Sequence, residues 1–258
     1  VNIKIRETGA FLCCTLRFFP HCTSVQFGHN PRARLELHPI SRILGTLQKI
    51  AQTGNFLYTG WVMKAQNFIF IGRSGCGKGT QASNLTEYLK KTDPSREVFY
   101  LQTGAEFRQF IQGDTYTQQL SKKAYTSGEL QPEFLAVWMW SHILIEKFNG
   151  DEHLITDGSP RKFHEAGTLD SIFSFYGREK PYLIFINTSR EEAMRRLSGR
   201  KRLDDSAADV IKRMDWYDTD VAPALNFYRN NSNYIFLEIN GDQSPEAVWQ
   251  EIQGKISL

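Results

Sequence analysis

The nine residues Gly72 to Thr80 constrain this chain more than any other stretch: they read GRSGCGKGT, follow the apolar run Phe68-Ile69-Phe70-Ile71 and precede a helix-like stretch from Gln81 to Lys90. Glycines let a tight turn direct its backbone N–H groups inward onto an anion, and the helix that follows aims the positive end of its dipole at the same point. Lys78 adds a mobile point charge for the outer phosphates. Strand, glycine loop, lysine and helix in this order specify a phosphate-binding loop. Gly72, Gly75, Cys76, Gly77, Lys78, Gly79 and Thr80 are therefore the expected phosphate contacts. Cys76 is expected to offer its backbone N–H rather than its thiol. The usual pattern puts Ser or Thr directly after the lysine to meet magnesium, whereas here Gly79 holds that place and the hydroxyl comes one residue later, at Thr80.

From Met63 onward, strand-like and helix-like stretches alternate, which predicts an α/β protein. The expected fold is a three-layer phosphate-loop fold, a five-stranded parallel sheet with helices on both faces. Strands are expected at Phe68–Ile71, Val98–Leu101, His153–Thr156, Tyr182–Ile186 and Tyr234–Ile239. Helices are expected at 79–90, 105–112, 115–127, 133–148, 164–176, 190–197, 206–230 and 245–253. Ligands of such sheets gather at the carboxyl ends of the strands.

Residues 1 to 62 carry no sustained period of 2 or 3.6 and are interrupted by Pro20, Pro31 and Pro39. The segment holds seven Lys or Arg against Glu7 and Glu36. Set against whole-chain totals of 31 basic and 28 acidic residues, this leaves 24 and 26 in the remainder, a net of −2. The basic balance thus belongs to the front segment, and nothing points the main body toward nucleic acid. Residues 1–62 are expected to be an extension that is poorly ordered or foreign to the native protein, with translation starting at Met63. A targeting peptide is the competing reading. Residues 63–258 are expected to form the working domain.

No window holds 18 uninterrupted apolar residues, so no membrane span is expected. Cys13, Cys14 and Cys22 lie in the front segment and Cys76 in the loop, a usage that fits a reducing compartment. The adjacent Cys13-Cys14 pair lacks the usual zinc spacing.

Beyond the loop, the chemistry-bearing residues cluster after other strands. His153-Leu154-Ile155-Thr156 ends on Asp157, an acid at a strand tip that can sit beside a phosphate-bound magnesium ion. Asp157-Gly158-Ser159-Pro160-Arg161 puts an arginine just past that tip, and Leu101 to Arg108 brings another one helical turn past a neighbouring strand. Guanidinium groups bind phosphate through paired N–H donors, so Arg108 and Arg161 suit a second phosphate opposite the loop. The plainer alternative is two solvated surface arginines. The densest basic stretch is Arg196, Arg200, Lys201 and Arg202, followed by Asp204 and Asp205, with Arg213 further on. It suits a rim of charge around a migrating phosphoryl group. It also reads as a solvated turn before a helix that Ser206 caps with Asp209 as partner. Both readings can hold.

Taken together, GKGT, TGxxxR at Thr103–Arg108, DGxPR at Asp157–Arg161, RLxGR at Arg196–Arg200, RxDD at Arg202–Asp205, Arg213, Tyr217 and Pro223 resemble the adenylate kinase group of nucleoside monophosphate kinases over nearly all of residues 65 to 255. The resemblance implies ATP as donor, magnesium as cofactor and a nucleoside monophosphate as acceptor, in a cytoplasmic, monomeric enzyme working by direct in-line transfer. It implies that Lys78 and the loop hold the ATP phosphates. Arg108 and Arg161 would grip the acceptor, with Thr103 and Gly158 beside it. Arg196, Arg200, Arg202 and Arg213 would surround the transferred group, and Thr80 and Asp157 would stand near magnesium.

Three departures bear on specificity and efficiency. Ser159 replaces the usual phenylalanine of DGFPR. Glu165 stands where a glutamine usually reads the acceptor base, and a carboxylate can accept from an exocyclic amino group but cannot donate to a ring nitrogen. Thr103 favours AMP, because the UMP/CMP branch carries alanine there. Lys201 alone separates Arg200 from Arg202, where relatives carry a lid, so ATP hydrolysis is expected to leak. The alternatives are a UMP/CMP or other small-metabolite kinase on the same fold, or a nucleotide-binding protein with impaired catalysis.

Overall fold

The computed structural model describes residues 4–8, 11–15, 64–199 and 206–257. Two compact units divide the chain, Val1–Trp61 and Val62–Leu258. In the first, β1 (Lys4–Thr8) pairs antiparallel with β2 (Phe11–Thr15), Lys4 opposite Thr15 and Thr8 opposite Phe11. Each of these strands has only five residues, too few to give a sustained period.

The second unit is the predicted α/β fold. Its strands are β3 (Asn67–Gly72), β4 (Val98–Gln102), β5 (His153–Asp157), β6 (Tyr182–Asn187) and β7 (Ile235–Asn240). They form one sheet in the order β4-β5-β3-β6-β7, every pair parallel. The central strand β3 is apolar at each of Phe68, Ile69, Phe70 and Ile71, and all four are buried. An unbroken apolar run of this kind marks a strand covered on both faces.

Successive side chains point to opposite faces. Accordingly, Phe68 and Phe70 join Ile155, Ile184, Ile186 and Ile239 in one core with Leu85, Leu89, Val248 and Ile252. Ile69 and Ile71 join Leu154, Leu183 and Phe185 in the other core with Phe107, Trp140, Leu144, Leu169 and Tyr228. The first layer is α1 (Lys78–Thr92) and α9 (Pro245–Lys255). The second core is supplied by α2 (Thr103–Phe110), α4 (Glu133–Lys147), α5 (Phe163–Phe175) and α8 (Ala222–Arg229). Between α2 and α4 lies α3 (Tyr116–Thr126), opened by a capping box of Thr115 and Gln118.

Two helices close a small third cluster: α6 (Arg190–Ser198) and α7 (Ala207–Trp216) bury Ala193, Leu197, Val210 and Met214 against each other. Ser206 caps α7, its Oγ accepting from the Asp209 N–H. The single helix expected over 206–230 is in fact three pieces, because a π segment (Tyr217–Val221) separates α7 from α8. Pro223 explains the break: it has no N–H to donate to the preceding turn, and it sits in the first turn of α8, where none is required. Among the described residues no helix is long and apolar enough to cross a membrane.

Candidate active site

All five parallel strands deliver their carboxyl ends to one edge of the sheet, and a cleft of about 650 Å³ opens there. The loop after β3 supplies Gly75, Gly77, Lys78, Gly79 and Thr80 to its wall. From β4 and α2 come Tyr100, Gln102, Gly104 and Arg108, and from the β5 tip Asp157, Gly158 and Arg161. Arg196 of α6 and Arg213 and Trp216 of α7 complete it. Five cations predicted from sequence therefore share one cleft with two carboxylates, Asp157 and Glu129.

The loop has the shape its glycines permit. Gly75 and Gly77 take φ of 86° and 93°, the left-handed region that suits a residue without a Cβ. At Gly75 a Cβ would also stand 2.6 Å from the Ala193 carbonyl oxygen, so the loop is seated directly on α6. The Lys78 ammonium donates to the carbonyls of Gly72 and Arg73 at 2.7 and 2.9 Å, which fixes it over the loop. Cys76 is buried, with its Sγ 3.5 Å from Lys78 Nζ, and is not part of the cleft wall.

Asp157 is held by two side chains from β4. Tyr100 donates its hydroxyl and Gln102 its amide to the same oxygen, Oδ2, at 3.1 and 3.2 Å. Burial and the neighbouring carboxylate push the Tyr100 phenol above its ordinary range, so it stays a donor. Oδ1 has no protein donor among the described residues. Gly79 faces this pair, with space for a Cβ only at van der Waals contact, 3.4 Å from Gln102 Nε2 and 3.6 Å from Asp157 Oδ2. No group of three or more His, Cys, Asp or Glu among the described residues could hold a metal ion. A single carboxylate beside a phosphate loop nevertheless fits magnesium, which keeps most of its ligands as water and phosphate oxygens.

Arg161 is fixed twice. Its Nε donates to the Gly158 carbonyl at 2.8 Å, and its guanidinium carbon lies 5.4 Å from the centre of the Trp216 ring. Burial lowers its pKa, opposed by Glu165 and Asp157 and reinforced by Arg213. Arginine nevertheless stays protonated in proteins. Arg213 is 6% exposed, and its Nε reaches the Asp209 carbonyl at 3.4 Å.

Three predicted residues stand differently from their sequence-based roles. Glu165 is 2% exposed and is not part of the cleft wall, since its carboxylate turns to accept the Arg161 backbone N–H. Thr103 is buried at the start of α2, also off the wall, with no partner for its hydroxyl among the described residues. Arg196 lines the cleft from the β6–β7 side, where its guanidinium donates to Glu192 at 2.6 Å and to the carbonyls of Gly241 and Gln243 at 2.9 and 3.1 Å. That side of the sheet is opposite to the one carrying Arg108 and Arg161. Its partner Glu192 is correspondingly pulled down to about 2 by the hydrogen bonds from Arg195 and Arg196. Arg200 and Arg202 lie outside the described residues.

Sequence reasoning overlooked Tyr100, Gln102, Trp216 and Arg73. The last lies 4.2 Å from the Tyr217 ring centre and pairs with Asp218 at 2.7 Å. Only the alternation of β4, which places Tyr100 and Gln102 on one face, was available as a signal.

Comparison with known proteins gives the same picture. The adenylate kinase family profile matches residues 70–233. Adenylate kinase 1 of Nostoc sp. is 30% identical over 188 residues, covering 73% of this chain and 97% of that protein. Adenylate kinase of Encephalitozoon cuniculi is 29% identical over 196 residues, with 75% and 99% covered. Adenylate kinase 1 of Synechocystis sp. is 30% identical over 184 residues, with 71% and 93% covered. A phosphate loop, a strand-tip acid and arginines from both sides of one sheet edge, carried on a sequence aligned with nearly the full length of these relatives, place the chain in the adenylate kinase family.

Proposed function

We propose that this protein transfers the terminal phosphoryl group of ATP to AMP, giving two ADP. The observation that carries the reading is the convergence of Lys78, Arg108, Arg161, Arg196 and Arg213 with Asp157 on one cleft. A triphosphate meeting a monophosphate end to end needs positive charge around both. The sheet order supports a division of that cleft. The phosphate loop and Arg196 serve ATP on the β3-β6-β7 side, Arg196 toward the base end. Arg108 and Arg161 serve the acceptor phosphate on the β4-β5 side.

In this reading an acceptor phosphate oxygen attacks the γ-phosphorus, the new O–P bond forms as the bond to the β-phosphate oxygen breaks, and ADP leaves with that electron pair. No side-chain nucleophile takes part, so catalysis is alignment and charge stabilisation. Lys78 and the loop amides hold the donor phosphates, Arg161 and Arg108 orient the attacking oxygen, and Arg213 reaches the charge that develops between them. Asp157 and Thr80 would hold magnesium, which would supply neutralisation of charge on the ATP oxygens. Tyr100 and Gln102 keep the Asp157 carboxylate aimed.

AMP is favoured as acceptor by the names of the relatives, each an adenylate kinase. Assaying ATP against AMP, CMP, UMP, GMP and hydroxylated acceptors tests the proposal. ADP formation fastest with AMP is the expected result. Faster turnover of CMP or UMP replaces the acceptor, and ATP binding without any transfer overturns the activity.

A further inference from the structure

We propose that Trp216 is a positioning residue that holds Arg161 in register with the phosphate loop, an inference that rests on reading Arg161 as the acceptor-phosphate ligand. The indole makes two different contacts. Its ring lies beneath the Arg161 guanidinium at 5.4 Å, and its Nε1–H donates to the Gly128 carbonyl at 3.2 Å. The negative face of an aromatic ring attracts a guanidinium and restricts its plane. With Nε already bound to Gly158, both anchors leave the two Nη groups of Arg161 free of hydrogen-bond partners among the described residues.

Gly128 ends the segment that begins at α2 and carries Arg108. It takes φ of 69° and packs so closely on α7 that a Cβ would lie 2.8 Å from Asp209 Cβ. One residue earlier, the Ser127 carbonyl accepts from Lys212 at 2.9 Å. The segment supplying one acceptor arginine is therefore pinned to the helix whose tryptophan supports the other.

The next residue ties this helix to the donor side. Tyr217 carries the Arg73 guanidinium at 4.2 Å, and Asp218 pairs with the same arginine at 2.7 Å. Arg73 belongs to the phosphate loop. Consecutive rings at the junction of α7 and the π segment thus each support one arginine, Trp216 on the acceptor side and Tyr217 on the donor side. Nothing in the reaction as proposed uses Trp216 itself. Its effect runs through Arg161.

The test compares the full-length protein with Trp216→Phe, which keeps a ring and loses the N–H, and Trp216→Leu, which loses both. Removing the ring is expected to raise the KM for AMP about tenfold, the scale of a desolvated cation–π contact. The KM for ATP should stay within twofold, and Trp216→Phe should restore the AMP value to within threefold of wild type. An AMP value in Trp216→Leu within twofold of wild type, an equal rise for both substrates, or a Phe variant no better than Leu overturns the proposal. Should the Leu variant fail to fold, AMP titration of the wild type is expected to change tryptophan emission through Trp216. Survival of that signal in Trp216→Phe overturns the proposal as well. The function can fail separately: a wild type that transfers phosphate to no nucleoside monophosphate removes both readings, whereas an active wild type with unchanged Trp216→Leu kinetics removes only this one.

Discussion

The carboxylate of Glu165 accepts the backbone N–H of Arg161 at 2.8 Å, four residues back along the chain, and both lie at the entrance of α5. Burial raises the Glu165 pKa, while this hydrogen bond and the charge of Arg161 oppose the shift. The acid thus braces the turn that carries Arg161 instead of facing the cleft. Glu165→Ala leaves a part-buried N–H without its partner and is expected to cost about 1 kcal/mol in denaturant unfolding. Glu165→Gln keeps an acceptor oxygen and should leave the preference among AMP, CMP and UMP unchanged. A tenfold shift in that preference returns Glu165 to the base-reading role that its position in the sequence implies.

Arg161→Ala removes a cation from the cleft without touching the sheet. Losing one preorganised donor at a site of developing charge lowers turnover by about 10²- to 10³-fold, and we expect a loss of this size with a thermal midpoint close to wild type. Steady-state kinetics with circular dichroism as a fold control measures both. Near-normal turnover removes Arg161 from the reaction.

The main architecture was readable because it follows from periodicity. The strand expected at Phe68–Ile71 forms as Asn67–Gly72, and the one at Val98–Leu101 as Val98–Gln102, each within a residue of expectation. The site residues were readable where a short motif fixes them to a strand tip, as with Lys78 and Asp157. What was hidden depends on contacts distant in sequence. Trp216 meets Gly128 across 88 positions, and Tyr100 meets Asp157 across 57. No local pattern encodes such pairs. Glu165 shows the same limit: alignment with a glutamine fixes a position but not the direction in which a carboxylate turns to find a nearby donor.

Lys201 alone separates Arg200 from Arg202, at the place where the family resemblance read from the sequence implies a closing segment in lidded members. A site without such a segment excludes water less completely during transfer. ADP release from ATP in the absence of acceptor, divided by the rate with AMP, should therefore exceed the same ratio for a lidded relative. A ratio no higher removes the connection between segment length and leakage.

At the opposite end of the sheet, His153 is fully buried at the start of β5, and its partners decide its tautomer. The Gln66 backbone N–H donates to Nδ1 at 3.0 Å, so the proton resides on Nε2, which faces Asp93 Oδ2 at 3.2 Å. A second proton on Nδ1 would oppose the Gln66 N–H. Burial lowers the His153 pKa below its ordinary 6.5, with Asp93 pulling the other way and Arg96 and Arg178 adding to the depression. Since the unfolded chain then takes up its proton at higher pH than the folded one, the stabilisation is full above about pH 6.5 and is lost as pH falls through the folded value. Asp93 acts with the same sign at lower pH: hydrogen bonds, first from Ser95, lower its pKa, so its contribution is present above 3.8 and lost below. Urea midpoints are therefore expected to fall between pH 7.5 and 5, and to fall again below pH 4. His153→Gln supplies an acceptor and a donor but does not titrate. It should flatten the upper step and leave the lower one, and a variant that keeps the wild-type slope between pH 7.5 and 5 shows that some other group titrates there.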